Sequence, residues 1–193
     1  MKRLLDIFIS LVLLFLLFFP CLVICFFIIL NSKGPIFYKT KRVGKNKKIF
    51  EMYKFRTMET TTPVINSNDL KEADKYITKV GKNLRKYSID EIPQVINIIL
   101  GDMSLVGPRP GLENQYDLIE KRDLYGINDI KPGLTGLAQI NGRDNLNMDK
   151  KVEYDKSYKD NQTILLDFKI LLKTILVVLK SKDIKHWKII IKF

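Results

Sequence analysis

The apolar residues of the chain fall into one long block and several short periodic runs. Leu4 to Leu30 is apolar apart from Asp6 and Ser10. As one straight helix at ~1.5 Å per residue it would measure ~40 Å, more than the ~30 Å hydrocarbon core of a bilayer. Pro20 lies inside this block. A proline there removes a backbone hydrogen bond and kinks or breaks the helix. Divided at Pro20, the arms measure roughly 24 Å and 15 Å, and neither spans alone. Two readings stay open on the pattern itself. One is a re-entrant segment that dips into the bilayer, turns at Pro20 and returns; the other is a tilted spanning helix with a proline kink. A cleaved signal peptide does not fit, because the run is too long and no small-residue cleavage site follows. Cys21 and Cys25, at i, i+4 spacing, read as packing residues.

Beyond the block, Pro35 to Met58 predicts two short strands around "GKNKK". Thr60 to Asp69 reads as a polar loop, and Leu70 to Tyr87 as a helix interrupted at Gly81. Ile92, Val95, Ile96, Ile99 and Leu100 follow the i, i+3, i+4, i+7, i+8 pattern of an amphipathic helix, with Gly101 as its stop. Gln115 to Asp123 predicts another short helix. Lys131 to Arg143, "KPGLTGLAQINGR", is turn-rich and reads as a loop. Ile164 to Leu179 predicts an apolar helix bracketed by lysines, too short to span, that packs in the core or lies in the membrane interface. The tail "SKDIKHWKIIIKF" mixes Lys with Ile, Trp187 and Phe, which suits an anionic bilayer surface, with nucleic acid as the second reading.

Charge narrows the function classes. The chain has 193 residues, with 33 Lys and Arg against 21 Asp and Glu and a formal net charge of +12. The partner is therefore anionic: nucleic acid, a phosphorylated ligand or a membrane face. Basic residues flank the apolar block on both sides: Lys2 and Arg3 before it, and Lys33 to Lys48 after it without an acid. Basic flanks favour the cytoplasmic side, so basic residues at both ends suit the re-entrant reading, with the kinked spanning helix still open. The two cysteines lie within the block, so there is no disulfide framework and no zinc pattern. A single histidine, His186, excludes His-based metal clusters and argues against a Ser-His-Asp triad. Roughly 160 residues follow the block, enough for one domain. The division is thus a membrane segment over 1–32 and a cytosol-facing domain over 33–193.

Against this basic background stands an adjacent acidic pair, Asp90 and Glu91, in "SIDEIPQVINIILGDMSLVGPRP". One reading is a helix cap: Ser88-x-x-Glu91 matches a capping box, and acidic residues suit a helix N-terminus. The other is chemistry. Arg85 precedes the pair by five residues, and Arg109 lies between two prolines that stiffen its backbone. Lys54 and Arg56, in "KFRTM", add positive charge at a predicted strand end. A guanidinium binds phosphate through parallel hydrogen bonds. Of two carboxylates, one can hold Mg²⁺ while the other attacks phosphorus.

"KFRTM", "VGKNLRKYSIDEIPQVINIILGDMSLVGPRP" and "KPGLTGLAQINGR", in this order, resemble the bacterial sugar transferase family. These are monotopic polyprenyl-phosphate phosphoglycosyltransferases, and the chain resembles their minimal catalytic form. The likeness runs from "KRLLDI" to "LDFKILLKTI". It implies a mostly helical α/β fold with a small β-hairpin or sheet, amphipathic interfacial helices and an N-terminal helix that is re-entrant and broken at Pro20. Phe19 departs from the small polar residue common before that proline in the family. The implied reaction moves a sugar-1-phosphate from a UDP-sugar to polyprenyl phosphate, releasing UMP, by way of a phosphosugar on Asp90. Glu91 would bind Mg²⁺, Arg109 the phosphate, Arg85 would organise the site, and Lys54 and Arg56 would lie near the donor. Gln139 and Arg143 are candidates from the glycine-rich loop. The implied place is the cytoplasmic face of a bacterial inner membrane, with lipid, UDP-sugar, lipid-phosphate and later glycosyltransferases of the glycan pathway as partners, and no nucleic acid. The alternative is a membrane-anchored basic protein without catalysis, binding nucleic acid or anionic lipid.

Overall fold

The computed structural model describes residues 1–62, 73–142 and 145–179. The tail from 180 onward, most of the expected polar loop and Arg143 lie outside them. The described residues are mostly helical, with two small two-stranded sheets among them. This is the α/β class expected, in its helix-rich form.

The apolar block forms one helix, α1 (Lys2–Asn31), with Pro20 inside it. The helix continues through the proline, instead of separating into two there. By length and composition α1 could cross a membrane. Its two polar exceptions, Asp6 and Ser10, are buried, together with Ile28, and the Ser10 hydroxyl has no hydrogen-bond partner among the described residues. Asp6 accepts from Ser104 Oγ at 2.8 Å and from the Leu105 N–H at 3.2 Å.

Both ends of α1 dock on the same body. Near the start, Arg3 donates to the carbonyls of Ile98 and Ile99, the latter at 2.9 Å. Ile9 and Leu13 pack on a core of Phe50, Met52, Ile98, Met103, Leu105, Val106, Tyr158 and Ile170. Near the end, Ile28 joins Phe55 and Leu84, flanked by Cys21, Ile24 and Cys25, as packing residues should be. Asn31 Oδ1 accepts from the Val80 N–H at 3.1 Å. Between these docks the helix is largely uncovered, with Phe15 and Phe19 81% and 76% exposed.

The expected strand pair is present as β1 (Phe37–Val43) and β2 (Ile49–Phe55), antiparallel, joined through a 3-10 turn at Lys45–Lys47. The predicted helix over 70–87 is two helices where described, α2 (Ala73–Tyr76) and α3 (Lys79–Lys86). The interruption is at Thr78, whose hydroxyl caps α3 by accepting from the Gly81 N–H. Gly81 instead serves close approach: a Cβ there would meet the Thr57 carbonyl oxygen at 2.1 Å.

The amphipathic helix α4 spans Gln94–Leu100 and ends at Gly101, in the left-handed region at φ 100° as a C-terminal glycine should be. Its buried face differs from the expected stripe. Gln94, Val95, Asn97 and Ile98 are buried, whereas Leu100 is exposed. The rotation follows from Asn97, which donates to the Glu51 carbonyl at 2.7 Å and accepts from the Tyr53 N–H at 3.0 Å, joining α4 to β2.

Beyond α4 lie β3 (Ser104–Val106), α5 (Tyr116–Asp123), β4 (Gly133–Thr135) and α6 (Leu137–Ile140). The last two correct the reading of 131–143 as loop throughout. β4 pairs in parallel with β3. Its glycines allow that contact: a Cβ on Gly133 or Gly136 would meet Gly107 backbone atoms at 2.1 Å. Helix α7 (Met148–Asp160) had no counterpart among the expectations. Helix α8 (Ile164–Leu179) has the bounds predicted for it. It buries Asp167 and Ile170 and turns Leu165, Phe168, Leu172, Ile175, Leu176 and Leu179 outward.

Candidate active site

Asp90 and Glu91 are not the cap of α4. They lie in a 3-10 turn, Ile89–Glu91, one step earlier in the chain. Ser88 adopts φ 55° and makes no side-chain cap, so the capping box is not formed. Both acids are nevertheless buried, each 8% exposed. Burying carboxylates is costly unless cations meet them.

Lys54, on the inward face of β2, places Nζ 2.8 Å from Glu91 Oε1 and 3.7 Å from Asp90 Oδ2. Arg109 reaches back across the corner after β3, with Nη2 2.7 Å from the same Glu91 oxygen and Nη1 3.5 Å from Oε2. Arg85, in the last turn of α3, donates from Nε to Thr57 Oγ1 at 2.8 Å, and its charge acts on Asp90.

The two carboxyls are therefore unequal. Burial pushes Asp90 above its ordinary value; Lys54 opposes this, Glu91 adds to it, and Arg85 and Arg109 oppose it more weakly. Burial would raise Glu91 too, but the touching Arg109 and Lys54 hold it well below the usual carboxylate range. Asp90 is the more basic and less engaged oxygen donor, which is what a carboxylate nucleophile needs.

The expected site residues separate into groups. Asp90, Glu91, Lys54, Arg109 and Arg85 converge. Arg56 is buried and donates to the carbonyls of Ser32 and Lys33, each at 2.7 Å, so it holds the chain leaving α1. Gln139 is buried in α6, donates to the Leu134 carbonyl at 2.9 Å, and has no partner for Oε1 among the described residues. Arg143 lies outside the described residues.

The support of Arg109 has no local signature in the sequence. Arg122, on α5, donates from Nη1 to the Arg109 carbonyl at 2.9 Å. Asp155, on α7, holds Arg122 through bonds of 3.1 and 2.6 Å. The Val106 carbonyl, three residues before Arg109, accepts from Tyr158 at 3.0 Å and from Lys2 at 3.1 Å. Lys2 in turn meets Asp167 at 2.6 Å. The spacing Val152, Asp155, Tyr158 after the Asn147 cap was the available signal for α7.

Among the described residues, no group of three or more His, Cys, Asp and Glu side chains is placed to hold a metal. The acidic pair fits a different kind of site. Mg²⁺ is commonly bound by one or two carboxylates, with substrate phosphates and water completing its shell. Glu91 Oε1 accepts from two cations, while Oε2 makes only the 3.5 Å contact and keeps acceptor capacity.

A profile of the bacterial sugar transferase family matches residues 1–181. The chain is 43% identical to the uncharacterized sugar transferase EpsL of Bacillus subtilis, over 81% of this chain and 76% of that protein. It is 36% identical to an undecaprenyl-phosphate galactose phosphotransferase of Salmonella typhimurium, over 93% of this chain and 40% of the relative. It is 41% identical to a UDP-glucose:undecaprenyl-phosphate glucose-1-phosphate transferase of Klebsiella pneumoniae, over 90% and 39%. The chain thus spans about two fifths of these two longer relatives. With that profile covering residues 1–181 of the 193, the chain belongs to the bacterial sugar transferase family.

Proposed function

We propose that this protein transfers a sugar-1-phosphate from a UDP-sugar to undecaprenyl phosphate, releasing UMP. The observation that carries the reading is the inequality of the pair: among the described residues, Glu91 is clamped by Lys54 and Arg109, while Asp90 has a 3.7 Å ion pair with Lys54. The names of the relatives from Salmonella and Klebsiella support the same reaction class.

In this reading an Asp90 carboxylate oxygen attacks the sugar-linked phosphorus of the donor. The bond from that phosphorus to the bridging oxygen breaks, and UMP leaves with the electron pair. The resulting acyl phosphate is then attacked by a phosphate oxygen of the lipid. The Asp90–phosphorus bond breaks, giving the polyprenyl diphosphate sugar and restoring the carboxylate. Arg109 and Lys54 offset the repulsion between an anionic nucleophile and anionic substrates, and Arg85 favours the charged form of Asp90. Mg²⁺, held by Glu91, would supply further charge stabilisation.

The acceptor lies at a membrane surface, and the fold suits that place. Both ends of α1 pack on the same body, and its exposed apolar middle extends between them. This favours a re-entrant segment with both ends on the cytoplasmic face of the inner membrane, over a spanning helix. The outward apolar stripe of α8 would lie in the interface beside it. The product is a lipid-linked sugar, which later glycosyltransferases would extend into a glycan such as an exopolysaccharide.

The test is a panel of UDP-sugars incubated with polyprenyl phosphate and the detergent-purified protein, scored for UMP release. Wild type releases UMP with at least one donor, and Asp90→Asn loses both UMP release and a radiolabelled phosphosugar adduct. Normal turnover in that variant would end the nucleophile assignment. Salt-sensitive binding with no turnover on any donor would favour the non-catalytic basic protein.

A further inference from the structure

The hairpin carries a second cation toward the site. Its register pairs Tyr38 with Lys54, Thr40 with Met52 and Arg42 with Phe50. Directly paired residues share a face of the sheet. Met52 and Phe50 are buried, so this is the core face, and Arg42 and Lys54 are the cations on it.

Lys54 meets Glu91, as described. Arg42 goes to the other side of the site. Its backbone bridges to Leu112, and its Nη1 donates to the Pro110 carbonyl at 3.3 Å, directly after Arg109. Its Nε is buried and has no partner among the described residues. Burial, then the nearby Arg109 charge, lowers its pKa to about 10, while Glu91 favours its charge. Arg42 therefore stays cationic at neutral pH, half-buried and beside a like charge.

This is an unbalanced arrangement. A guanidinium offers five N–H donors, and a buried donor without a partner, such as the Arg42 Nε, is costly. Glu91 is already held by Lys54 and Arg109, so it cannot neutralise Arg42 as well. A further anion would satisfy the unused donors of Arg42 and offset its repulsion with Arg109.

We propose that Arg42 is a substrate-binding residue, forming with Arg109 a cradle of two guanidiniums for a phosphate group at the Asp90–Glu91 site. The inference rests on the transferase reading for the identity of the anion. That reading offers two sources with the same chemistry, the diphosphate of the donor and the phosphate of the lipid acceptor.

The experiment measures equilibrium binding of UDP and farnesyl phosphate to the full chain in detergent, with uridine and farnesol as uncharged counterparts. Arg42→Gln removes the charge but keeps a donor for the Pro110 carbonyl. It weakens UDP or farnesyl phosphate by about tenfold or more, and leaves uridine and farnesol within about twofold. Loss confined to UDP assigns Arg42 to the donor, and loss confined to farnesyl phosphate assigns it to the acceptor. The proposal is overturned if both anions bind as to wild type, or if the uncharged compounds weaken in parallel. Should Arg42→Gln fail to give a cooperative thermal transition, Arg42→Lys replaces it. That variant keeps the charge and loses the fork, so it weakens the anion by about threefold or more, and unchanged binding overturns the proposal. Wild-type UMP release separates the two failures. Turnover with normal anion binding in both variants sinks Arg42 alone, whereas a wild type that neither binds UDP nor releases UMP sinks the transferase reading and this inference together.

Discussion

Arg122 donates to the carbonyl of Arg109 at 2.9 Å, so one arginine fixes the backbone from which another reaches the acidic pair. Asp155 pairs with Arg122, and both are buried. Removing one partner leaves an uncompensated buried charge, at a cost of about 3–5 kcal/mol. Asp155→Ala should therefore lower the melting temperature by on the order of 10 °C, measured by thermal unfolding in detergent. Arg122→Lys keeps the charge but cannot hold Asp155 and the Arg109 carbonyl together. In single-turnover assays it should slow adduct formation by about tenfold or more. A rate equal to wild type would show that the corner does not need this bond.

The inequality of the two carboxyls gives a pH prediction. In the proposed mechanism Asp90 attacks as the carboxylate, and burial raises its pKa, so adduct formation should rise with pH along a limb above the ordinary value of 3.8. Lys54 is the chief group opposing that rise. Lys54→Gln removes the opposition, so Asp90 holds its proton to higher pH and the limb moves upward. A pH profile of single-turnover rates checks the direction, and a downward shift would contradict the assignment.

The inward carboxylate of α1, Asp6, acts as a fastener. Asp6 accepts from the Ser104 hydroxyl and the Leu105 N–H. Asp6→Leu leaves both donors buried and unsatisfied, at about 1–3 kcal/mol for each such group. Replacing the exposed Leu14 by Ala should change the melting temperature far less. Thermal unfolding of the two variants side by side checks the contrast.

The outward stripe of α8 predicts a separation of membrane binding from folding. Phe168 and Ile175 are 57% and 56% exposed. Replacing both by Asp should leave the melting temperature near that of wild type, since exposed positions usually contribute within about 0.5 kcal/mol. The same variant should bind anionic vesicles more weakly in a flotation assay, because it loses apolar contact and gains repulsion. Unchanged flotation would remove α8 from the membrane contact.

Much of this architecture is legible locally. The hairpin follows from alternation around "GKNKK", the end of α4 from Gly101, and α8 from a sustained apolar run. Helix α7 was not, because its exposed surface is nearly all charged and its inward residues include Asp155, which is buried only because Arg122 meets it. The face of α4 was misjudged for a similar reason: Asn97 points inward to satisfy the backbone of β2. At the site, the adjacency of Asp90 and Glu91 is written in the chain. The arrival of Arg109 depends on the parallel pairing of β3 with β4 and on contacts from α5, α7 and Lys2, none of which is local. Arg56 shows the opposite failure. It is two residues from Lys54 in a basic motif, yet its guanidinium serves the carbonyls of Ser32 and Lys33.

The double docking of α1 also bears on how the protein can be handled. A helix used only as a tether can be cut away to leave a soluble remainder. Here Ile9 and Leu13 cover one core cluster, Ile28 belongs to the other, and Lys2 supports the carbonyl three residues before Arg109. Trimming the first thirty or so residues would uncover the interior at two places, so the fragment should aggregate instead of yielding a water-soluble catalyst. For this chain the anchor is a wall of the house, and the membrane is part of the environment in which that wall is built.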